Sequence, residues 1–220
     1  MKSVQQRMVL ILSIAIIFVL AFGYWVFQSD NTATAEANAA TESEQAIAPV
    51  QQPAVGGISP FFTREVQHWA PQIVAWSAEF GLDPNLVATV MQIESCGDPN
   101  AVSSAGAQGL FQVMPFHFTE GETMQDPDTN ARRGLAYLAL GMQQTGGDAG
   151  LSFAGYNGGH GTAARGWDSW PAETQRYYVW STGIYGDAAS GSATSETLNE
   201  WLAAGGGGLC NQAASRLGLQ

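Results

Sequence analysis

The chain opens on an unbroken apolar run, Met8 to Phe27 (MVLILSIAIIFVLAFGYWVF), with no charged side chain in it. About 20 helical residues cover about 30 Å, the thickness of a bilayer's hydrocarbon core. Tyr24 and Trp25 fall at its outer end, where amphipathic rings favour the membrane interface. Lys2 and Arg7 precede the run, and Asp30, Glu36, Glu42 and Glu44 follow it. The pattern predicts a transmembrane anchor over 8–27 with its N-terminus inward. The expected location is the cell membrane, single-pass, with the remainder extracytoplasmic. A signal peptide is the other reading, with Ala33-Thr34-Ala35 and Ala37-Asn38-Ala39 resembling small-residue cleavage sites.

Periodicity then vanishes. Residues 28–57 are Ala, Thr, Glu, Gln and Pro with few large apolar side chains. Such a segment buries too little surface to offset chain entropy, so a disordered linker is expected. A helical period begins near Ser59. Trp69, Ile73, Trp76 and Phe80 recur at three- and four-residue steps, and Gly81 stops them. Pro71 either opens a fresh helix there or kinks this one. Asp83-Pro84 reads as an N-cap and first turn, and the helix it starts runs to Ser95, ended by Gly97 and Pro99. Ala131, Leu135, Leu138 and Met142 stripe a further helix from about Thr129 to Thr145. Shorter helices are expected over 148–156 and 171–184, and period-2 strand patterns are weak. The reading is a mostly α domain over 58–187. The remaining 188–220 form a Gly/Ala/Ser-rich tail, where a short helix over 197–203 is broken by Gly205 to Gly208.

Composition narrows the chemistry. A net charge of −11, from 8 Lys and Arg against 19 Asp and Glu, excludes a nucleic-acid partner that needs a basic surface. The 3 His (His68, His117, His160) are scattered, and 2 Cys make no zinc set, so neither a metal site nor a cofactor is expected. Outside the cytoplasm Cys96 and Cys210 are a candidate disulfide, which would pin the tail beside the end of the Pro84–Ser95 helix.

On a wheel at 100° per residue, Val87, Met91 and Glu94 share one face of that helix, with Val90 beside them. A carboxyl in an apolar stripe loses hydration, which disfavours its charge and raises its pKa. It then stays protonated near neutral pH and can act as a general acid. For a lone glutamate, snorkelling to solvent is the commoner outcome; the residues after it change that weighting.

Glu94-Ser95 is followed by Gly109-Leu110-Phe111-Gln112-Val113-Met114-Pro115, then Tyr156-Asn157-Gly158-Gly159, then Glu173-Thr174-Gln175-Arg176-Tyr177. This order resembles the soluble lytic transglycosylase family, whose lysozyme-like domain carries E-S, G-L-M-Q-x-M-P, A-Y-N-x-G and E-T-x-x-Y. Phe111 replaces the usual Met, and Gly155 stands where the family has Ala. The resemblance covers about 61–186.

The resemblance implies a peptidoglycan lytic transglycosylase that cuts the bond between N-acetylmuramic acid and N-acetylglucosamine without water. Ordinary glycosidases need two carboxylates; this family works with one. It implies Glu94 as acid and then base, giving a 1,6-anhydro product. It implies Ser103, Gln112, Met114, Tyr156 and Asn157 as substrate-binding residues, and Tyr177 as a substrate-site residue whose hydroxyl holds the Glu94 carboxyl. Phe116, His117, Phe118, Trp167 and Trp170 are aromatic candidates for the groove, and Phe111 is expected to alter its shape. The partners expected are peptidoglycan glycan strands and the membrane, the chain acting as a monomer. Two rival readings stay open: a goose-type-like lysozyme, which hydrolyses, and a non-catalytic wall-binding module.

Overall fold

In the computed structural model, which describes residues 57–219, several of the helices start where the sequence supplies an acceptor or a proline. A single turn, α1 (Arg64–Gln67), leads into α2 (Ala70–Phe80). Pro71 sits in the first turn of α2, so it opens a helix and kinks none; Gly81 at φ 65° ends it. In α3 (Pro84–Glu94) the Asp83 carboxylate accepts from the Asn85 N–H at 2.8 Å. The next helix, α4 (Pro127–Gln144), starts earlier than the expected Thr129. Asp126 caps it by accepting from the Thr129 N–H at 2.9 Å, and Pro127 takes the first position. Asp148 caps α5 (Ala149–Gly158), and the turn α6 (His160–Ala163) follows directly.

Two C-terminal differences matter for the site. The helix expected to end at Ile184 is α7 (Ala172–Ala189), with Gly183 and Gly186 inside it. A Cβ on Gly183 would lie 2.5 Å from Thr197 Oγ1, so the missing side chain is where the tail packs. The tail itself is helical. It runs as α8 (Glu196–Trp201), a stretch Leu202–Gly206 kinked at Gly205, and α9 (Gly207–Leu217). The glycine run does break the helix: Gly205, at φ 129°, leaves helical geometry and kinks the chain, and Gly206 to Gly208 are helical again. Each helical glycine costs about 1 kcal/mol against alanine, but a Cβ on Gly206 would collide with the Trp201 ring. Close packing on that ring offsets the weak propensity.

Helix α3 lies at the centre of the core: Leu86, Val87, Ala88, Val90 and Met91 are buried. Around it pack Ile73 and Trp76 of α2, Leu135 and Leu138 of α4, Phe153 of α5, Ile184 of α7, and Trp201 and Ala213 of the tail. Among the described residues, β pairing is limited to isolated bridges, Val102 with Gln108 and Gln108 with Val113. No described helix is long and apolar enough to cross a membrane. The anchor expected over 8–27 and nearly all of the linker expected over 28–57 lie outside the described residues.

Candidate active site

A helix buried on almost every face has one place to show a polar side chain to a cleft, and that is its end. Glu94 is the last residue of α3. Ser95 follows as the C-cap; its Oγ donates to the Leu110 carbonyl at 2.7 Å and accepts from the Gly97 N–H at 3.1 Å. The chain then turns sharply. Cys96 takes φ 52° and Gly97 φ 81°. A non-glycine residue in the left-handed region costs about 1–2 kcal/mol, and here Cys96 is covalently held, its Sγ bonded to Cys210. A Cβ on Gly97 would meet the Glu65 carbonyl oxygen at 2.7 Å. The turn after Glu94 is thus determined by packing on both sides.

The segment Gly109–Pro115 is tied down from α4. Asn130, fully buried, accepts from the Phe111 N–H at 2.9 Å and donates to the Gln108 and Met124 carbonyls at 2.8 Å each. Gly109, at φ 72°, passes so close that a Cβ would lie 2.6 Å from Asn130 Nδ2. Sequence reasoning missed Asn130. The signal was available: it lies four and eight residues before Gly134 and Leu138, on the buried face of α4.

The last two motifs meet through a hydrogen bond. Thr174 Oγ1 donates to Asn157 Oδ1 at 2.9 Å, and a Cβ on Gly158 would press on that same hydroxyl at 2.6 Å. Along α7, Glu173, Arg176, Tyr177 and Trp180 follow the three- and four-residue steps of one helix face. Together with Ile93, Glu94, Asn157 and Trp201 they line a cleft of about 310 Å³.

Glu94 keeps some exposed surface toward this cleft and is enclosed by protein elsewhere. Burial pushes its carboxyl up to about 8; the Tyr177 hydroxyl pulls the other way, and the Glu173 carboxylate adds a smaller upward push. The Tyr177 hydroxyl is buried and has no partner at full hydrogen-bond geometry, so it is a loose donor toward Glu94 rather than a formed bond. Burial, and next the nearby Glu94 charge, hold the phenols of Tyr156 and Tyr177 well above their ordinary range. A neutral acid beside two neutral phenols can donate a proton to a bound oxygen and later take one back.

The structure brings together some of the expected residues and not others. Glu94, Asn157 and Tyr177 share the cleft. Tyr156 is close enough to feel the Glu94 charge, but its hydroxyl donates to the Phe111 carbonyl at 2.8 Å. Ser103 Oγ accepts from the Ala107 N–H at 3.0 Å within its own turn. Gln112, at φ 46°, donates its side-chain amide to the Gly109 and Ala101 carbonyls at 3.0 and 3.3 Å. Met114 is half-buried and precedes the 3-10 turn Pro115–His117. Ser103, Gln112, Met114 and Tyr156 are not in the lining of the Glu94 cleft. Phe111 is fully buried against Trp76, so its ring does not form the groove surface. Trp170 is also core, whereas Phe116 is 76% exposed. Arg176, Trp180 and Trp201 were missed as cleft residues; the last two lie beyond the motifs.

Comparison with known proteins gives the domain a family. Residues 71–179 match the Transglycosylase SLT domain. A transglycosylase of Enterobacteria phage PRD1 is 39% identical over 111 residues, 50% of this chain and 40% of that protein. An endo-type membrane-bound lytic murein transglycosylase A of Klebsiella pneumoniae is 30% identical over 92 residues, 35% of this chain and 44% of that protein. An inactive mutant of the lytic transglycosylase Slt from Pseudomonas aeruginosa aligns with a TM-score of 0.46 at 27% identity, over 58% of this chain and 25% of that one. The chain carries a lytic transglycosylase SLT family domain. It spans less than half the length of the curated relatives it matches.

Proposed function

We propose that the protein is a peptidoglycan lytic transglycosylase in which Glu94 is the sole catalytic carboxyl. The observation that carries this reading is the carboxyl itself: held near 8 by burial, at the end of the central helix, inside a cleft. Glu94 gives its proton to the oxygen linking N-acetylmuramic acid to N-acetylglucosamine, and the C1–O bond breaks. The substrate's own N-acetyl oxygen stabilises the resulting oxocarbenium-like carbon. Glu94, now a carboxylate, removes the proton of the C6 hydroxyl, and O6 bonds to C1. The products are a 1,6-anhydro-muramyl end and a free 4-hydroxyl end, with no water consumed. Tyr177 steadies the carboxylate between the two steps, since a nearby phenol favours the charged form.

The same reading places the domain outside the cytoplasm, on glycan strands, with 8–27 as a single-pass membrane anchor. Two features support this: the uncharged apolar run and a disulfide, which persists in oxidising compartments. It takes the chain to be a monomer without metal or cofactor, and Ser103, Gln112, Met114, Tyr156 and Asn157 to shape or support the substrate groove. The test is Glu94→Gln in the full chain, assayed by release of soluble fragments from purified sacculi. Release is expected to fall by at least about 10³-fold, since general acid and base roles are both lost. Binding to sacculi in a pull-down should persist. Undiminished release would remove Glu94 from the mechanism.

A further inference from the structure

The wall of the Glu94 cleft formed by Trp201 comes from outside the matched family domain, which ends at residue 179. Trp201 ends α8 and is only 4% exposed. Three contacts hold its segment in place. Cys210, on α9, is bonded to Cys96, two residues after Glu94. Arg216 donates to the buried Asp98 carboxylate in an ion pair. Gln92, two residues before Glu94, donates to both bridge sulfurs, at 3.1 and 3.5 Å. The kink at Gly205 turns the chain so that the Gly206 backbone packs closely on the indole, where a Cβ would not fit.

We propose that Trp201 is a positioning residue acting through Glu94: held by the Cys96–Cys210 bridge, its ring closes one wall of the cleft and keeps water from the carboxyl. The proposal rests on the reading of Glu94 as the acid. The groups facing Glu94 can be named. Glu173, Arg176 and Tyr177 come from α7, Tyr156 and Asn157 from α5, and Ile93 from its own helix. The tail adds no charged or titratable side chain to the cleft lining. Removing the indole therefore changes hydration and leaves the charges as they were. A better hydrated carboxyl titrates lower, moving from about 8 toward the ordinary 4.5. The acid must be protonated to act, so activity would be lost at a lower pH.

The experiment is the pH profile of kcat/KM for fragment release by the full chain, comparing wild type with Trp201→Phe and Trp201→Ala. The alkaline limb is expected near pH 8 in the wild type, shifted down by about one unit or more in Trp201→Ala and by less in Trp201→Phe. Reduction and alkylation of the wild type should shift it in the same direction. A limb that stays in place in whichever of these proteins folds, with the rate reduced equally at every pH, overturns the proposal. Glu94→Gln separates this from the functional reading: if that variant still cleaves, the role of Glu94 fails whatever Trp201 does.

Discussion

Glu94 works against the fold that holds it. In the unfolded chain it ionises near 4.5, and in the cleft near 8. Between those values the unfolded state releases a proton that the folded state retains, so stability falls as pH rises and levels off above about 8. Glutamine fills the same space and does not titrate. Glu94→Gln is therefore expected to match the wild type near pH 4.5 and to be more stable at pH 8, by on the order of 1–3 kcal/mol. That figure is set below the full linkage value because the Glu94 side chain keeps some exposed surface on the cleft side. Urea midpoints across pH test this. A difference constant with pH would mean that the carboxyl is not desolvated. The helix wheel already placed Glu94 in the apolar stripe of α3. It did not reveal Tyr177 as a loose donor, because that contact joins residues on two separate helices.

At the scale of elements, the helices were legible where capping chemistry is local. Asp83, read as an N-cap from the sequence, accepts from the backbone two residues on, and Asp126 and Asp148 do the same three residues on. The loop that follows Glu94 was legible as a motif but not as a set of contacts. Ser103 and Gln112 are drawn into turns by hydrogen bonds that their identities alone do not announce. The anchor of that loop, Asn130, stands on another helix. Asn130→Ala strands the buried Phe111 N–H and the part-buried Met124 carbonyl, while the Gln108 carbonyl keeps the Val113 N–H. Leaving such groups unpaired costs about 1–3 kcal/mol each, partly recovered by relaxation. A loss of about 2–4 kcal/mol is expected in urea unfolding, with fragment release reduced because the turn beyond Glu94 loosens. A loss under about 0.5 kcal/mol, the size of an ordinary surface change, would show that the loop does not depend on Asn130.

At the scale of the whole molecule, the mostly α character followed from the three- and four-residue apolar steps, and the family from motifs spread over Glu94 to Tyr177. The tail was the part least legible. Gly205 does break the helix, as its propensity leads one to expect; the sequence did not show that Gly206 then packs on the Trp201 ring and the chain resumes as α9. With the tail docked, one cleft combines the central helix, the motif helix α7 and a segment beyond the family match. The one other carboxylate in that cleft's lining is Glu173, which is exposed, whereas Glu94 is enclosed by protein except toward the cleft. On the proposed reading, the substrate's own hydroxyl, not water, finishes the reaction. The most direct measurement is the mass of the fragments released from purified sacculi by the full-length protein. Muropeptides one water lighter than their hydrolytic counterparts, with no reducing muramic end, are the predicted result. Fragments that all carry reducing ends would contradict the account and make the protein a hydrolase.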